Sequence, residues 1–196
     1  SKFSLCLSSS KISNNYLKKL GAKNVKFIGN LKFSQSENEK VGIRKDLRKF
    51  FLTKKNWCAS STHSSEEKFC GLVHKKLRMK YKNLVTIIIP RHINRADHIK
   101  NELEQMDLKI HLHESKKKIS KNTDIYLVNS YGITKSFYSI CKNVFLGGSL
   151  INHGGQNPLE AVRFGCRVFH GPNIENFSEI YNFLRINKIS NKIKNH

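Results

Sequence analysis

Short apolar runs alternate with amphipathic stretches from about residue 57 onward. The clearest run covers residues 84–89 (Leu-Val-Thr-Ile-Ile-Ile), ends at Pro90 and is typical of a strand buried on both faces. Further strands are predicted at residues 57–60, 108–112, 125–128, 144–146 and 167–169, and helices at 97–106, 134–140, 158–164 and 177–184. This alternation predicts an α/β fold, a doubly wound parallel sheet that binds ligands at the carboxyl ends of its strands.

Another helix is predicted directly after the strand at residues 57–60. Ser64 and Glu67 have the spacing of a capping box, which marks a helix start. An apolar stripe with helical spacing follows, formed by Phe69, Leu72, Val73 and Leu77. We expect this stripe to face the core.

The start of the chain has its own β-α-β pattern, with strands at residues 3–7 and 25–28 and a helix at 13–20. A polar stretch follows at residues 34–39, typical of a linker. We therefore expect four segments, which are the remnant of an N-terminal domain (1–34), a linker (35–45), a Rossmann-like domain (46–186) and a polar tail (187–196).

Composition limits the classes of partner. The chain has 196 residues, with 36 Lys and Arg against 14 Asp and Glu, a formal charge of +22. No apolar run approaches the roughly 18 residues of a membrane span, and no secretory signal pattern is visible. The positive charge favours an anionic partner such as nucleic acid, anionic lipid or a phosphorylated substrate. The lysines are spread along the chain, and no aromatic residues interleave with the densest run at residues 116–118, so an RNA-stacking platform is not indicated.

Neither the cysteines nor the histidines predict a metal or disulfide site. The five cysteines include no C-x-x-C pair, which argues against a disulfide framework or a zinc knuckle. His111 and His113 alternate on one strand face, but no third ligand follows at a zinc spacing. We interpret them as polar residues on a solvated strand face and predict no metal.

The strongest candidate for ligand binding is the glycine-rich segment 147–160. Its two glycine pairs let the backbone approach a ligand closely and expose N–H groups. Asn157 is a natural helix cap and Pro158 a natural first helical residue, so the helix start suits a phosphate. Two roles are open for Glu160: its carboxylate either completes the helix cap or binds a ribose diol.

Three other segments follow predicted strands at the same edge. Arg91 follows the strand at 84–89, where a guanidinium binds either a phosphate or a surface carboxylate. Residues 60–63 offer hydroxyls to an anion or serve as a local cap, and residues 129–132 offer backbone groups and Tyr131 to a base. Lys32, one lysine among many, is expected in solvent on composition alone.

Taken together, these segments resemble the C-terminal half of the 3-deoxy-D-manno-octulosonic acid (Kdo) transferases of lipopolysaccharide synthesis. The resemblance extends from about residue 3 to about residue 185 in collinear motifs. These are Gly-Asn-Leu-Lys-Phe at 29–33, Ala-Ser-Ser-Thr-His at 59–63 with Glu66 and Glu67, Pro-Arg-His at 90–92, Gly-Gly-Ser-Leu at 147–150, Gly-Gly-Gln-Asn-Pro-Leu-Glu at 154–160, and Gly-Pro-Asn at 171–173 with Asn176 and Phe177.

The resemblance implies a GT-B glycosyltransferase with two Rossmann-like domains. It implies transfer of Kdo from CMP-Kdo to a lipid A precursor, with inversion at the anomeric carbon and without a metal or other cofactor. It also implies work at the cytoplasmic face of the inner membrane, where the basic surface would meet anionic lipid. Nucleic acid is not an expected partner of such an enzyme.

The resemblance also implies roles for individual residues. Lys32 matches a lysine that stabilises charge in the transition state, which replaces the solvent interpretation. Three segments match CMP-binding positions, with Glu160 on the ribose: Pro90 and Arg91; Tyr131, Gly132 and Ile133; and Asn157, Pro158, Leu159 and Glu160. Ser61, Thr62, His63, Gly148 and Ser149 are candidate donor contacts.

Two departures from the family pattern change the expectation. The family's nucleotide loop commonly reads Asp-Thr-Met-Gly-Glu, whereas residues 129–133 read Asn-Ser-Tyr-Gly-Ile, without either carboxylate. The acceptor-binding domain, with the general base, lies outside this sequence, and a separate chain is one source for it. We therefore expect this chain to be inactive alone. The alternatives are a nucleotide-binding remnant without catalysis and a basic nucleic-acid-binding module, which predicts steeply salt-dependent affinity.

Overall fold

The chain divides between residues 40 and 41 into two units in the computed structural model, which describes residues 3–29 and 42–193. In the first unit, β1 (Cys6–Ser8) and β2 (Val25–Phe27) pair in parallel, and α1 (Lys11–Lys19) connects them. The Ser10 hydroxyl caps α1 by accepting from the Ser13 amide at 3.0 Å. The described part of this unit therefore has the predicted β-α-β pattern.

The second unit is built on a seven-stranded sheet in which all the pairings are parallel. The strands are β3 (Lys55–Thr62), β4 (Leu84–Pro90), β5 (Ile110–Leu112), β6 (Ile125–Leu127), β7 (Asn143–Leu146), β8 (Arg167–His170) and β9 (Ser190–Lys192). Their order across the sheet is β5-β6-β4-β3-β7-β8-β9. The chain runs outward from β3 in one direction and then, from β7, in the other, so the switch point lies between β3 and β7. This confirms the doubly wound sheet.

Helices cover both faces of this sheet. They are α2 (Lys45–Leu52), α3 (Glu66–Lys80), α4 (Ala96–Glu104), α5 (Thr134–Tyr138), α6 (Leu159–Arg163) and α7 (Ser178–Ile186), with short 3-10 turns at Ile93–Arg95 and Glu175–Phe177. One core contains buried residues of α2, α5, α6 and α7, including Phe51, Phe137 and Tyr181. A second core, on the other face, contains buried residues of α3 and α4, including Cys70 and Ile99.

Two elements of the second unit had no predicted counterpart. Helix α2 lies at the start of the unit and buries Leu47 and Phe51, one turn apart, against the sheet. Strand β9 lies within residues 187–196, the segment described above as a polar tail. It pairs with β8 at the sheet edge, and beyond it the Ile193 amide donates to the His170 carbonyl at 2.8 Å.

The beginning of α3 differs from the predicted capping box. The residue before the helix is Ser65, in the left-handed region at φ 75°, and no side chain caps the helix. The interior side of α3 carries Glu66, Glu67, Cys70, Gly71 and His74 rather than the predicted apolar stripe. In that stripe Leu72 is 55% exposed. The other three members border an open apolar cavity of about 520 Å³ near the amino ends of β3 and β4.

A single buried carboxylate connects the loops after β3 and β7. Glu66 Oε2 accepts from the amides of His63 at 2.9 Å and Gly148 at 2.7 Å. Its Oε1 accepts from the amides of Ser149 at 3.1 Å and Leu150 at 3.0 Å. The Glu66 side chain therefore satisfies four backbone donors where neither loop forms sheet, and it holds the two loops together.

We expect Glu66→Gln to lower the free energy of unfolding by about 2–4 kcal/mol, because a side-chain amide turns an N–H group toward backbone donors and loses the charge. Urea denaturation of the purified chain measures this. Glu179→Gln, at an exposed position on α7, is the matched control and should change the value by less than about 0.5 kcal/mol. An effect of Glu66→Gln as small as that of the control would contradict the role assigned to this carboxylate.

His74 is a buried titratable residue on the interior side of α3. Its Nδ1 lies 2.9 Å from the Thr86 hydroxyl of β4, and its Nε2 lies 3.5 Å from Asp124 Oδ1. Burial, followed by the charge of Arg78, lowers the pKa of His74 to about 4. The nearby Asp124 does not reverse this direction because its carboxylate is already paired with Arg78.

The lowered pKa of His74 predicts a pH dependence of stability. Above the ordinary histidine pKa of about 6.5 its contribution is complete, and it is lost as pH falls toward about 4, because the unfolded chain takes up the proton first. Over this range we expect the unfolding free energy of the wild type to fall as pH falls. That of His74→Gln should fall less steeply, with a slope smaller by about 1.4 kcal/mol per pH unit. Parallel curves from urea denaturation would contradict the assignment.

Candidate functional site

The carboxyl ends of four adjacent strands, β6, β4, β3 and β7, bring most of the predicted site residues to one edge of the sheet. Thr62 at the end of β3 is opposite Pro90 at the end of β4, and the Arg91 amide donates to the Thr62 carbonyl at 2.9 Å. With parallel strands about 4.8 Å apart, the loops after β6 and β7 begin within about 15 Å of each other. The edge is therefore narrow enough for one ligand to reach loops from several strands.

After β3, the three candidate donor contacts differ in exposure. Ser61 is half-buried at a bulge in β3 and has a φ of 55°, in the left-handed region. The Thr62 side chain is buried, and its hydroxyl has no hydrogen-bond partner among the described residues. His63 is half-buried and faces the edge beside His153. Of the three, Ser61 and His63 are accessible to a ligand.

After β4, Pro90 is buried and Arg91 is exposed. The whole of β4, from Leu84 to Pro90, is buried, as its β-branched run predicted. Because Arg91 is the first residue after β4, it places a guanidinium group at this edge. A guanidinium in that place suits a phosphate or carboxylate ligand.

After β6, the loop at residues 129–133 is partly used for packing. Tyr131 is 70% exposed, and Gly132 adopts a φ of 79° that favours glycine. The Ile133 side chain packs against the core, so this residue offers its backbone to a ligand. The Asn129 side chain accepts from the Glu114 amide at 3.0 Å and so connects the loop to the segment after β5.

After β7, the glycine-rich loop differs from the prediction that its N–H groups are exposed. The amides of Gly148 and Ser149 donate to Glu66, and the Gly155 amide donates to the Gly148 carbonyl at 2.9 Å. The Ser149 side chain is buried, and its hydroxyl donates to the Leu146 carbonyl and accepts from the Gly171 amide. These N–H groups are not exposed because the Glu66 carboxylate already occupies the concave backbone surface at which a ligand was expected.

Helix α6 begins one residue later than predicted, with Pro158 rather than Asn157 at the N-cap position and no side-chain cap there. Asn157 Oδ1 accepts from the Leu159 amide at 3.1 Å, and the helix itself covers Leu159–Arg163. Pro158 and Leu159 are buried, whereas Asn157 and Glu160 are half-buried.

The electrostatics of the edge favour an anion. The pKa of His63 is lowered first by burial and then by His153, and His92 and Arg91 lower it further. Glu66 acts in the opposite direction, but its carboxylate is engaged with four amides. The edge can therefore bind an anionic ligand through Arg91 and through imidazole N–H groups.

The other predicted positions are Lys32, His111 and His113. Lys32 falls outside the described residues. His111 and His113 do not lie on a solvated strand face, because both are half-buried against Tyr126, whose hydroxyl is 2.8 Å from His113 Nδ1. Within residues 3–29 and 42–193, no three His, Cys, Asp or Glu side chains are grouped so as to hold a metal ion. Among the helices described, none has the length and apolar composition needed to cross a bilayer.

Sequence reasoning missed three residues that shape this edge. The sequence indicated Glu66 only as part of a family motif, and it indicated no separate role for His92 or His153. The contact of Glu66 with Gly148 spans 82 positions, for which a local pattern has no signal. His153 follows β7 by several residues within a glycine-rich loop, and only the fold brings it to His63.

Comparison with known proteins gives relatives in sequence and in structure. No protein-family model matches the chain. It is 31% identical over 189 residues to the 3-deoxy-D-manno-octulosonic acid transferase of Haemophilus influenzae, covering 94% of this chain and 44% of that protein. It is 27% identical over 194 residues to the Aquifex aeolicus transferase of the same name, covering 99% and 51%. A bifunctional glycosyltransferase/methyltransferase of Fusobacterium nucleatum is 33% identical over 196 residues, covering 95% and 30%.

A solved structure is similar in fold and sequence. The crystal structure of the C-terminal CMP-Kdo binding domain of WaaA from Acinetobacter baumannii superimposes with a TM-score of 0.68 at 26% identity, covering 74% of this chain and 76% of that one. The chain spans about half the length, or less, of the curated relatives named here. The chain is therefore similar in sequence to enzymes named 3-deoxy-D-manno-octulosonic acid transferases, and it has the Rossmann-like α/β fold of the C-terminal CMP-Kdo binding domain in that crystal structure.

Proposed function

We propose that this chain is the donor-binding half of a Kdo transferase and holds the CMP part of CMP-Kdo at the carboxyl edge of its sheet. The main support for the proposal is that three segments leave the sheet at that edge: the loop after β4 with Arg91, the loop after β6 with Gly132, and the segment after β7 that leads into α6 with Glu160. The similarity to a domain described as CMP-Kdo binding supports the same ligand.

Within this proposal the three segments have different tasks. The exposed Arg91 pairs with the phosphate, and Tyr131 and Gly132 contact the nucleotide through an exposed ring and an open backbone. Asn157 accepts from the Leu159 amide just before α6, and the half-buried Glu160 accepts hydrogen bonds from the ribose hydroxyls. Because Pro90, Pro158, Leu159 and Ile133 pack inward, they position these contacts through the backbone.

The reaction is a displacement at the anomeric carbon of Kdo. A hydroxyl oxygen of the lipid A precursor attacks this carbon, the bond to the phosphate oxygen of CMP breaks, and the configuration inverts. CMP leaves with the bonding electrons, and we assign Lys32 to stabilising the negative charge that develops on its phosphate. The proton of the attacking hydroxyl passes to a base of the acceptor-binding half.

We further propose that the enzyme acts on the cytoplasmic face of the inner membrane as a peripheral protein. The formal charge of +22 supports attraction to anionic lipid and to a phosphorylated acceptor. The acceptor-binding half would come from residues beyond this sequence or from a separate chain. A nucleotide-binding remnant without transfer activity is the alternative, and Kdo-transfer assays with an added acceptor-binding half distinguish the two.

Titration of CMP, UMP and AMP into the purified chain tests the proposed donor site. We expect preference for CMP, with affinity reduced about 10- to 100-fold in Arg91→Ala and in Glu160→Ala, because each removes a charge-assisted contact. Arg185→Ala and Glu104→Ala, at exposed positions on α7 and α4, are matched controls and should bind CMP like the wild type. Equal affinity for the three nucleotides would contradict the proposal.

A further inference from the structure

Three imidazole rings meet at the carboxyl edge of the sheet, each from a different loop. His63 follows β3, His92 follows β4 and His153 lies in the loop after β7. The ring centroid of His63 lies 4.3 Å from that of His153 and 6.0 Å from that of His92. Among the described residues, the rings of His92 and His153 have no hydrogen-bond partner. We call these three residues the histidine cluster.

The backbone under the histidine cluster leaves space for the rings to converge. Gly148 has a φ of 65°, and a Cβ built there would lie 3.1 Å from the His153 ring and 3.3 Å from the His63 ring. The same Cβ would lie 3.3 Å from the Gln156 side chain, whose Nε2 is 3.5 Å from His63 Nε2. Since Glu66 holds the amide of Gly148, the floor of the cluster is fixed before any ligand binds.

The charges around the cluster are mostly positive. Arg91 directly precedes His92 in the chain, and its positive charge is one of the causes that lower the pKa of His63, after burial and the neighbouring rings. The Glu66 carboxylate accepts from the amides of His63, Gly148, Ser149 and Leu150, so it does not pair with an imidazole ring. Such a group of protonatable rings is suited to a second anion beside the one bound by Arg91.

We propose that the histidine cluster binds the carboxylate of the donor sugar, an inference that rests on the proposed function. Kdo is a 2-ulosonic acid, so its carboxylate is attached to the same carbon that carries the CMP phosphate. The two anionic groups must therefore lie side by side in the site. Arg91 and His92 are consecutive, and His63 and His153 continue the row of donors away from Arg91 along the edge.

This assignment gives the cluster a role in sugar specificity. A donor whose sugar lacks the carboxylate would leave the imidazoles without their partner, and so would bind less tightly than CMP-Kdo. CMP has no sugar carboxylate to place at the cluster, so we expect its affinity to depend little on the rings. The histidine cluster thus separates recognition of the sugar acid from recognition of the nucleotide.

Calorimetric titration of CMP, CMP-Kdo and CDP-glucose into the wild type, His153→Gln and His63→Gln tests the assignment. We expect the wild type to bind CMP-Kdo about tenfold more tightly than CMP. Each variant should lose about tenfold in CMP-Kdo affinity and keep its affinity for CMP and CDP-glucose within about twofold. His98→Gln, an exposed histidine of α4, is the matched control and should leave all three unchanged.

The outcomes separate this inference from the proposed function. If the wild type binds no CMP, the proposed function fails and the inference fails with it. If CMP binds normally but His153→Gln and the wild type have the same ratio of CMP-Kdo to CMP affinity, only the histidine assignment is overturned. Because His153 is exposed, we expect its variant to keep the wild-type melting temperature, which confirms that any loss is local.

Discussion

The contact on which this edge depends is the buried carboxylate of Glu66 with its four backbone amides. Both loops that it joins leave the sheet at the switch point between β3 and β7, where the strands no longer satisfy the backbone N–H groups. A carboxylate on the first residue of α3 satisfies these groups internally, and so the loops have a defined shape without a ligand. The positions of His63 and Gly148, and through Gly148 that of His153, all follow from this contact.

The centre of the sheet was largely predictable because strands such as β4 and β6 are fully buried and so carry an uninterrupted apolar signal. Strand β4 is the clearest case, since each of its residues from Leu84 to Pro90 is buried. The predicted face of α3 was only partly right. Its apolar residues 69, 73 and 77 border an open cavity, while Glu66, Glu67 and His74 point inward and find polar partners there. Periodicity counts apolar residues and cannot anticipate buried polar residues whose partners lie far along the chain.

The candidate site was predictable in its location more than in its contacts. Local physics favoured the end of β4, the loop after β6 and the start of α6, and these do lie at one edge. The sequence also suggested a ligand on the amides of Gly148 and Ser149, which in the structure donate to Glu66. The role of Glu160 on a ribose came only from the family resemblance, since a glutamate at a helix start is as well explained by capping.

A crystal structure of the chain with CMP tests whether one cytidine nucleotide is held at this preorganised edge. We expect the phosphate beside Arg91 and the ribose beside Glu160, with the hydrogen bonds of Glu66 to the loop amides unchanged. CMP bound at the opposite end of the sheet, in the apolar cavity bordered by Trp57 and Phe145, would contradict it. So would a nucleotide at the right edge that displaces Glu66 from the amides.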